Sequence, residues 1–136
     1  MRIGAIALLA LALAGCGGHA ASPESVARAW SAALDRNDNE GAAKLFAPGA
    51  QVVQQGVLSL KSHRQAVTWN AGLPCGGRIV SVQPEASNSV LVVFSLTNRP
   101  HHVCDGPGDA AAAIFTVVHG KIVLWHETPP PRTNAV

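Results

Sequence analysis

Ser89-Val90-Leu91-Val92-Val93-Phe94-Ser95-Leu96-Thr97-Asn98 is the stretch on which the fold turns. Side chains alternate across a strand, so Val90, Val92, Phe94 and Leu96 share one wholly apolar face. That face needs a core to cover it. Arg99-Pro100 ends the strand, because proline has no N–H to give to a ladder. Downstream, Ala110–His119 and Lys121–Glu127 are two further strand-like runs. The X-Gly pair His119-Gly120 between them fits a tight hairpin turn. Upstream, Arg78–Gln83 has the same character. The C-terminal half of the chain therefore reads as successive antiparallel strands.

The N-terminal half has another period. Ser22-Pro23-Glu24 is a helix start, with Ser to cap, Pro for the first turn and Glu for the positive end. Val26, Ala29, Trp30, Ala33 and Leu34 then recur at helical spacing on one face. Asn37-Asp38-Asn39 ends this helix and can cap the next. Ala42, Ala43, Leu45 and Phe46 suit a short second helix, stopped by Pro48-Gly49. Gln51–Gln55 and Val57–Leu60 are short strand-like runs broken at Gly56. Ser62-x-x-Gln65 is a capping box, so a third helix starts there, carries Ala66, Val67 and Trp69, and ends before Gly72 and Pro74. Helices followed by strands give an α+β domain, with N-terminal helices packed on an antiparallel sheet.

The chain has 136 residues, 48% of them hydrophobic and 13% charged, with a net charge of +2. That length suits one domain. The charge is too small for a nucleic-acid surface, and Lys61, His63 and Arg64 form only a solvated corner at a helix start. The apolar excess is concentrated at the front. A basic start, Met1-Arg2, precedes the 12 apolar or small residues 3–14. A membrane-spanning helix needs about 20 residues, so the segment reads as an export signal. Leu13-Ala14-Gly15-Cys16 resembles the lipobox of bacterial lipoproteins. The resemblance implies cleavage before Cys16, acylation of its thiol with fatty-acid chains such as palmitate, and anchorage at the exported face of the bacterial cell membrane or envelope. The expected organisation is a signal peptide over 1–15, a tether over 16–21, a domain over 22–128 and a flexible tail over 129–136, where Pro129-Pro130-Pro131 favours extended chain.

Of three cysteines, Cys75 and Cys104 remain after Cys16. In an exported, oxidising setting a remaining pair is expected to bond. His101, His102, Cys104 and Asp105 lie close in sequence and raise a metal site as the alternative, but neighbouring side chains diverge on extended chain. No metal and no cofactor is expected. Asp105-Gly106-Pro107-Gly108-Asp109 lacks calcium-loop spacing and reads as turn chemistry.

Val26–Leu34, Leu45-Phe46-Ala47-Pro48-Gly49-Ala50-Gln51-Val52 and the closing run Phe115–Trp125 with its Gly120-Lys121-Ile122 turn together resemble the nuclear transport factor 2-like superfamily, including its SnoaL-like branch. The resemblance covers residues 22–128. It implies a curved sheet wrapping a helix layer to make a cone with an apolar pocket. Members are enzymes, ligand binders or dimerising adaptors, so fold alone does not choose the function. Steroid-isomerase-like members use an Asp base on the first strand after the helices. Aligned to that strand, this chain has Gln54 there, and an amide cannot take a proton at neutral pH. The chain also has no Tyr to serve as an oxyanion donor. Trp30, Trp69, His102, Trp125, His126 and Glu127 are the candidate pocket residues. On a strand, Trp125 and Glu127 share one face and His126 takes the other with Leu124. The expected function is an anchored lipoprotein domain that binds a small apolar ligand or an envelope partner protein without chemistry, with a homodimer left open. The alternative is a cyclase- or isomerase-type enzyme using His102, His126 or Glu127 as an acid–base pair.

Overall fold

The computed structural model of the chain describes residues 20–132. The expected leader 1–15, the lipidation site Cys16 and the tail beyond 132 lie outside the described residues. Three helices come first: α1 (Pro23–Asp35), α2 (Asn39–Ala43) and α3 (His63–Gly72), with strands β1 (Phe46–Gln54) and β2 (Gly56–Leu60) between the last two. Strands β3 (Gly76–Ala86), β4 (Ser89–Thr97), β5 (Ala110–Val118) and β6 (Lys121–Thr128) follow. The six form one curved sheet in the order β2-β1-β6-β5-β4-β3. Four ladders are antiparallel, and β1 pairs with β6 in parallel. The α3 to β5 stretch of chain runs between these two partners, so no hairpin fixes their relative direction.

The helix signals act as expected. Ser22 Oγ accepts the Ser25 N–H at 3.1 Å to cap α1. Ser62 Oγ accepts the Gln65 N–H at 3.2 Å, and Gln65 Oε1 reaches back to accept the Lys61 N–H at 2.7 Å. The buried face of α1 is turned slightly from the expected one. Ala27 and Ser31 are buried beside Val26, Trp30, Ala33 and Leu34, whereas Ala29 is exposed.

The second helix is shorter than its apolar run. It ends at Ala43, and Phe46 already pairs with Ile122 of β6. Pro48-Gly49 does not stop a helix; it sits inside β1 where the register slips between Phe46 and Gln51. Gly49 takes a φ of 78°, which a residue without Cβ adopts cheaply. The stretch Ala42-Ala43-Lys44-Leu45-Phe46 is apolar apart from Lys44, and short apolar runs do not distinguish helix from strand. Packing decides, because as a strand residue Phe46 sets its ring edge-on to Trp69 at 5.7 Å.

Residue pairs in the ladders line up Val92, Phe94, Ala113, Phe115 and Trp125 on the sheet face that meets α1. Trp30 of α1 sits at the middle of this core. Its ring centroid lies 5.3 Å from Phe115, 5.9 Å from Trp125 and 6.3 Å from Phe94. Its indole N–H donates to Asn70 Oδ1 at 2.8 Å, which ties α1 to α3 in the interior.

Arg99, which looks like a strand terminator in the sequence, is only 2% exposed. Its Nη1 donates to the carbonyl oxygens of Asn70 and Leu73, both at 2.8 Å. Its Nη2 donates to Asn37 Oδ1 at 2.8 Å and Asn39 Oδ1 at 2.6 Å. One guanidinium thus joins the α1–α2 turn, the end of α3 and the exit of β4. Burial lowers its pKa while the charge of Asp35 raises it. Asp35 itself is pushed upward by desolvation, opposed by the Gly77 N–H bond and by Arg99.

Cys75 and Cys104 are bonded, as expected, across 29 residues of sequence. The loop between β4 and β5 is turn chemistry, also as expected. Asp109 N–H donates to Gly106 O at 3.0 Å, Gly108 N–H to Leu96 O at 2.8 Å, and Gly108 takes a φ of 90°.

Asp38 caps α2 by accepting the Gly41 N–H at 2.8 Å, and this bond, ahead of Arg36 and Lys44, holds its carboxyl below the ordinary 3.8. A depressed folded value means the ionised cap stabilises above the ordinary pKa and is lost as pH falls through the depressed one. Asp38→Asn keeps a cap that does not titrate. Its urea midpoint is therefore expected to fall less than the wild type's between about pH 5 and about pH 3. Parallel slopes for the two proteins would show that the cap carries no acid sensitivity.

Candidate functional site

The concave face of the sheet does not fill completely against α1. A pocket of about 230 Å³ remains. Trp30, Ser31 and Leu34 of α1 form one wall. Phe94, Ala111, Ala113 and Trp125 from three strands form another. The disulfide end is closed by Leu73, Pro74, Cys75 and the Gly76-Gly77 pair. Gln54 and Glu127, both exposed, stand at the rim. They also line an adjoining open cleft with Val57, Leu58 and Trp69.

Local sequence explains why space is left. Ala110-Ala111-Ala112-Ala113 puts the smallest side chains with a Cβ on β5, opposite Phe94 and Val92 of β4. Gly77 lies so close to Phe94 that a Cβ there would meet the ring at 2.9 Å. Ser31 Oγ donates to Gly77 O at 2.9 Å, so the one hydroxyl in the α1 wall is already occupied. The pocket is accordingly mostly apolar inside, with Gln54 and Glu127 at its rim and the buried indole N–H of Trp125, which has no partner among the described residues, in its wall.

The structure sorts the expected pocket residues. Trp30, Trp125 and Glu127 line the pocket, and Trp125 and Glu127 share a face. Trp69 lines the adjoining cleft instead, its ring 5.0 Å from Trp125. His126 pairs with Ile114 and Val53 on the opposite, outer face of the sheet, so it does not reach the pocket. Alternation puts it there, as it does Leu124. His102 is also outside: its ring nitrogens lie 2.8 Å from the carbonyl oxygens of Pro100 and Ala71, which fix it in the loop after β4. Cys104 is consumed by the disulfide, and among the described residues no three His, Cys, Asp or Glu side chains converge. Sequence reasoning missed the alanine run and the Gly76-Gly77 pair. Their signal was small volume in a strand, a pattern that marks close approach or space.

No protein-family model and no curated relative matches the sequence. Solved structures do match. A nuclear transport factor 2-like protein of unknown function from Cytophaga hutchinsonii superposes with a TM-score of 0.64 at 12% identity, over 82% of this chain and 92% of that one. The fold is the nuclear transport factor 2-like cone. A Sinorhizobium meliloti protein named as a candidate polyketide cyclase gives 0.61 at 17% identity, over 76% and 94%. A candidate ketosteroid isomerase from Kribbella flavida gives 0.59 at 17%, over 83% and 84%. Identities this low speak for the shared architecture and leave the chemistry to the site. Gln54 stands at the pocket rim, and an amide does not take a proton at neutral pH.

Proposed function

We propose that this domain binds a small, mostly apolar molecule in the pocket between α1 and the sheet, and does no chemistry on it. The observation that carries the reading is the pocket's make-up: indole, phenyl and alanine walls with a single ionisable side chain, Glu127, at the rim. Such concave, apolar sites with a few polar groups are the usual form of a small-molecule site. The volume bounds the ligand. At roughly 30 Å³ per water, 230 Å³ equals about eight waters, below the 300 Å³ or so at which drug-sized sites begin. The enzyme alternative needs an acid–base pair inside, and neither His102 nor His126 lines the pocket beside Glu127.

The test is intrinsic tryptophan fluorescence, since Trp30 and Trp125 form the walls. Titration with a compact apolar probe such as cyclohexanol is expected to change the emission saturably and raise Tm. Ala111→Leu, which fills the pocket from β5, is expected to weaken that binding at least about tenfold, or about 1.4 kcal/mol. No saturable change in the wild type would remove the reading.

We further propose that Cys16 carries the lipid that holds the domain at the exported face of the bacterial membrane. The lipobox resemblance supports it, and an acylated terminus holds by about 0.8 kcal/mol per buried methylene. No helix among the described residues is long and apolar enough to cross a membrane. Mass spectrometry of the native protein is expected to find an acylated N-terminus at Cys16; an unmodified one would refute the anchor.

A partner protein is a second reading, and one feature favours it. The outer sheet face carries Val53, Leu91, Val93, Ile114 and Leu124, all half-buried, and no helix among the described residues packs over them. An apolar face of this kind is how association surfaces look, and a dimer by light scattering at micromolar concentration would support it.

A further inference from the structure

Glu127 is an unusual group to find on such a pocket. It is the only ionisable side chain in the lining, and it has no ion-pair partner or side-chain hydrogen bond among the described residues. The next acid, Asp35, lies at the opposite end, where its carboxylate accepts the Gly77 N–H at 2.9 Å. The neighbouring cation, Arg99, is outside the lining and is already surrounded by four oxygens. The accessible charge at the pocket is therefore negative. The walls beside it are the indoles of Trp30 and Trp125 and the ring of Phe94. Aromatic rings and a carboxylate both attract cations, and the rings also accept methyl and methylene groups. A carboxylate-bearing ligand would meet Glu127 as a like charge, and a neutral ligand would gain from it at most a hydrogen bond and no ion pair.

We propose that the pocket selects a compact organic cation, an amine or quaternary ammonium with an apolar body, with Glu127 as its countercharge. This rests on the small-ligand reading above and names the class of ligand. The cationic centre sits toward the rim and the apolar part goes in between Trp30 and Trp125. Because Glu127 is solvent-exposed, the selectivity weakens as ionic strength rises.

The experiment compares two probes of nearly equal shape, choline and its neutral analogue 3,3-dimethylbutan-1-ol, by tryptophan fluorescence and calorimetry on the wild type and Glu127→Gln. At low salt the wild type is expected to bind choline about tenfold more tightly than the alcohol. Glu127→Gln is expected to lose that margin, through a fall of about tenfold in its affinity for choline. Equal binding of the two probes by the wild type, or a margin that survives Glu127→Gln, overturns charge selection and leaves the pocket reading intact. Binding of cyclohexanol with none of choline overturns it in the same way. Failure of choline, the alcohol and cyclohexanol together overturns the small-ligand reading itself. An exposed rim side chain such as Glu127 is a low-risk substitution for folding, and an unchanged Tm of the unliganded variant is the internal control.

Discussion

Arg99→Met is expected to cost the domain about 3 kcal/mol or more of its unfolding free energy, although the change is from a charged to an apolar side chain at a buried site. The reason lies with the four acceptors. Methionine fills much of the same volume but takes the donor from the Leu73 carbonyl oxygen and from Asn39 Oδ1, and leaves the Asn70 carbonyl oxygen with only the Leu73 N–H at 3.3 Å and Asn37 Oδ1 with only the Asn39 amide at 3.5 Å. A buried polar group that loses its partner costs about 1–3 kcal/mol. Asn37 and Asn39 are half-buried and can turn to water, so the penalty falls mainly on the Leu73 carbonyl, which loses its donor outright, and on the Asn70 carbonyl, which keeps only a long bond. Arg99→Lys is expected to recover only part of the loss, since one ammonium cannot reproduce the planar fork that spans both pairs. Urea unfolding with an unchanged slope is the measurement. A midpoint within error of the wild type would mean that the three segments hold together without the guanidinium.

Reduction of the Cys75–Cys104 bond is expected to cost about as much, by another route. The bond closes a loop spanning 29 residues, and in the chain-entropy account a loop of that length is worth roughly 3–4 kcal/mol. For a domain whose whole stability is about 5–15 kcal/mol, either change removes a large share. The disulfide has a second expected effect that Arg99 lacks. Cys75 is part of the pocket lining and is followed directly by Gly76-Gly77, where β3 begins. Unfolding curves with and without reductant, and a Cys75→Ser/Cys104→Ser double variant, are expected to show both a lower midpoint and weaker cyclohexanol binding. Unchanged binding in a destabilised double variant would show that the pocket end is held by the Arg99 network alone.

Periodicity made most of the architecture legible. Val90, Val92, Phe94 and Leu96 alternate because one face of β4 is buried, and the caps at Ser22 and Ser62 announce helices through chemistry that lies within four residues. What remained hidden was set by contacts distant in sequence. Phe46 belongs to a strand because Ile122 pairs with it, 76 positions later. Arg99 is interior because asparagines near position 38 and the end of α3 supply its oxygens, and no local pattern reports that. In the site, alternation correctly put Trp125 and Glu127 together and separated His126. It did not say which face was concave, nor that His102 would be held by backbone carbonyls in its loop. The pocket itself is a deficit of volume at Ala111, Ala113 and Gly77, and absent atoms leave little trace in a hydropathy pattern.

The sheet order carries a consequence for how the chain can be cut and assembled. The last strand among the described residues, β6, lies between β1 and β5, in the interior of the sheet. A truncation before Lys121 therefore removes no edge. It parts the β2-β1 pair from β5-β4-β3 and takes the Trp125 wall and the Glu127 rim with it. Neither half can close on the other until β6 has been made, and pairing across so long a separation is slow. A C-terminal fusion placed after Thr128 leaves the sheet whole, whereas one placed a few residues earlier divides it.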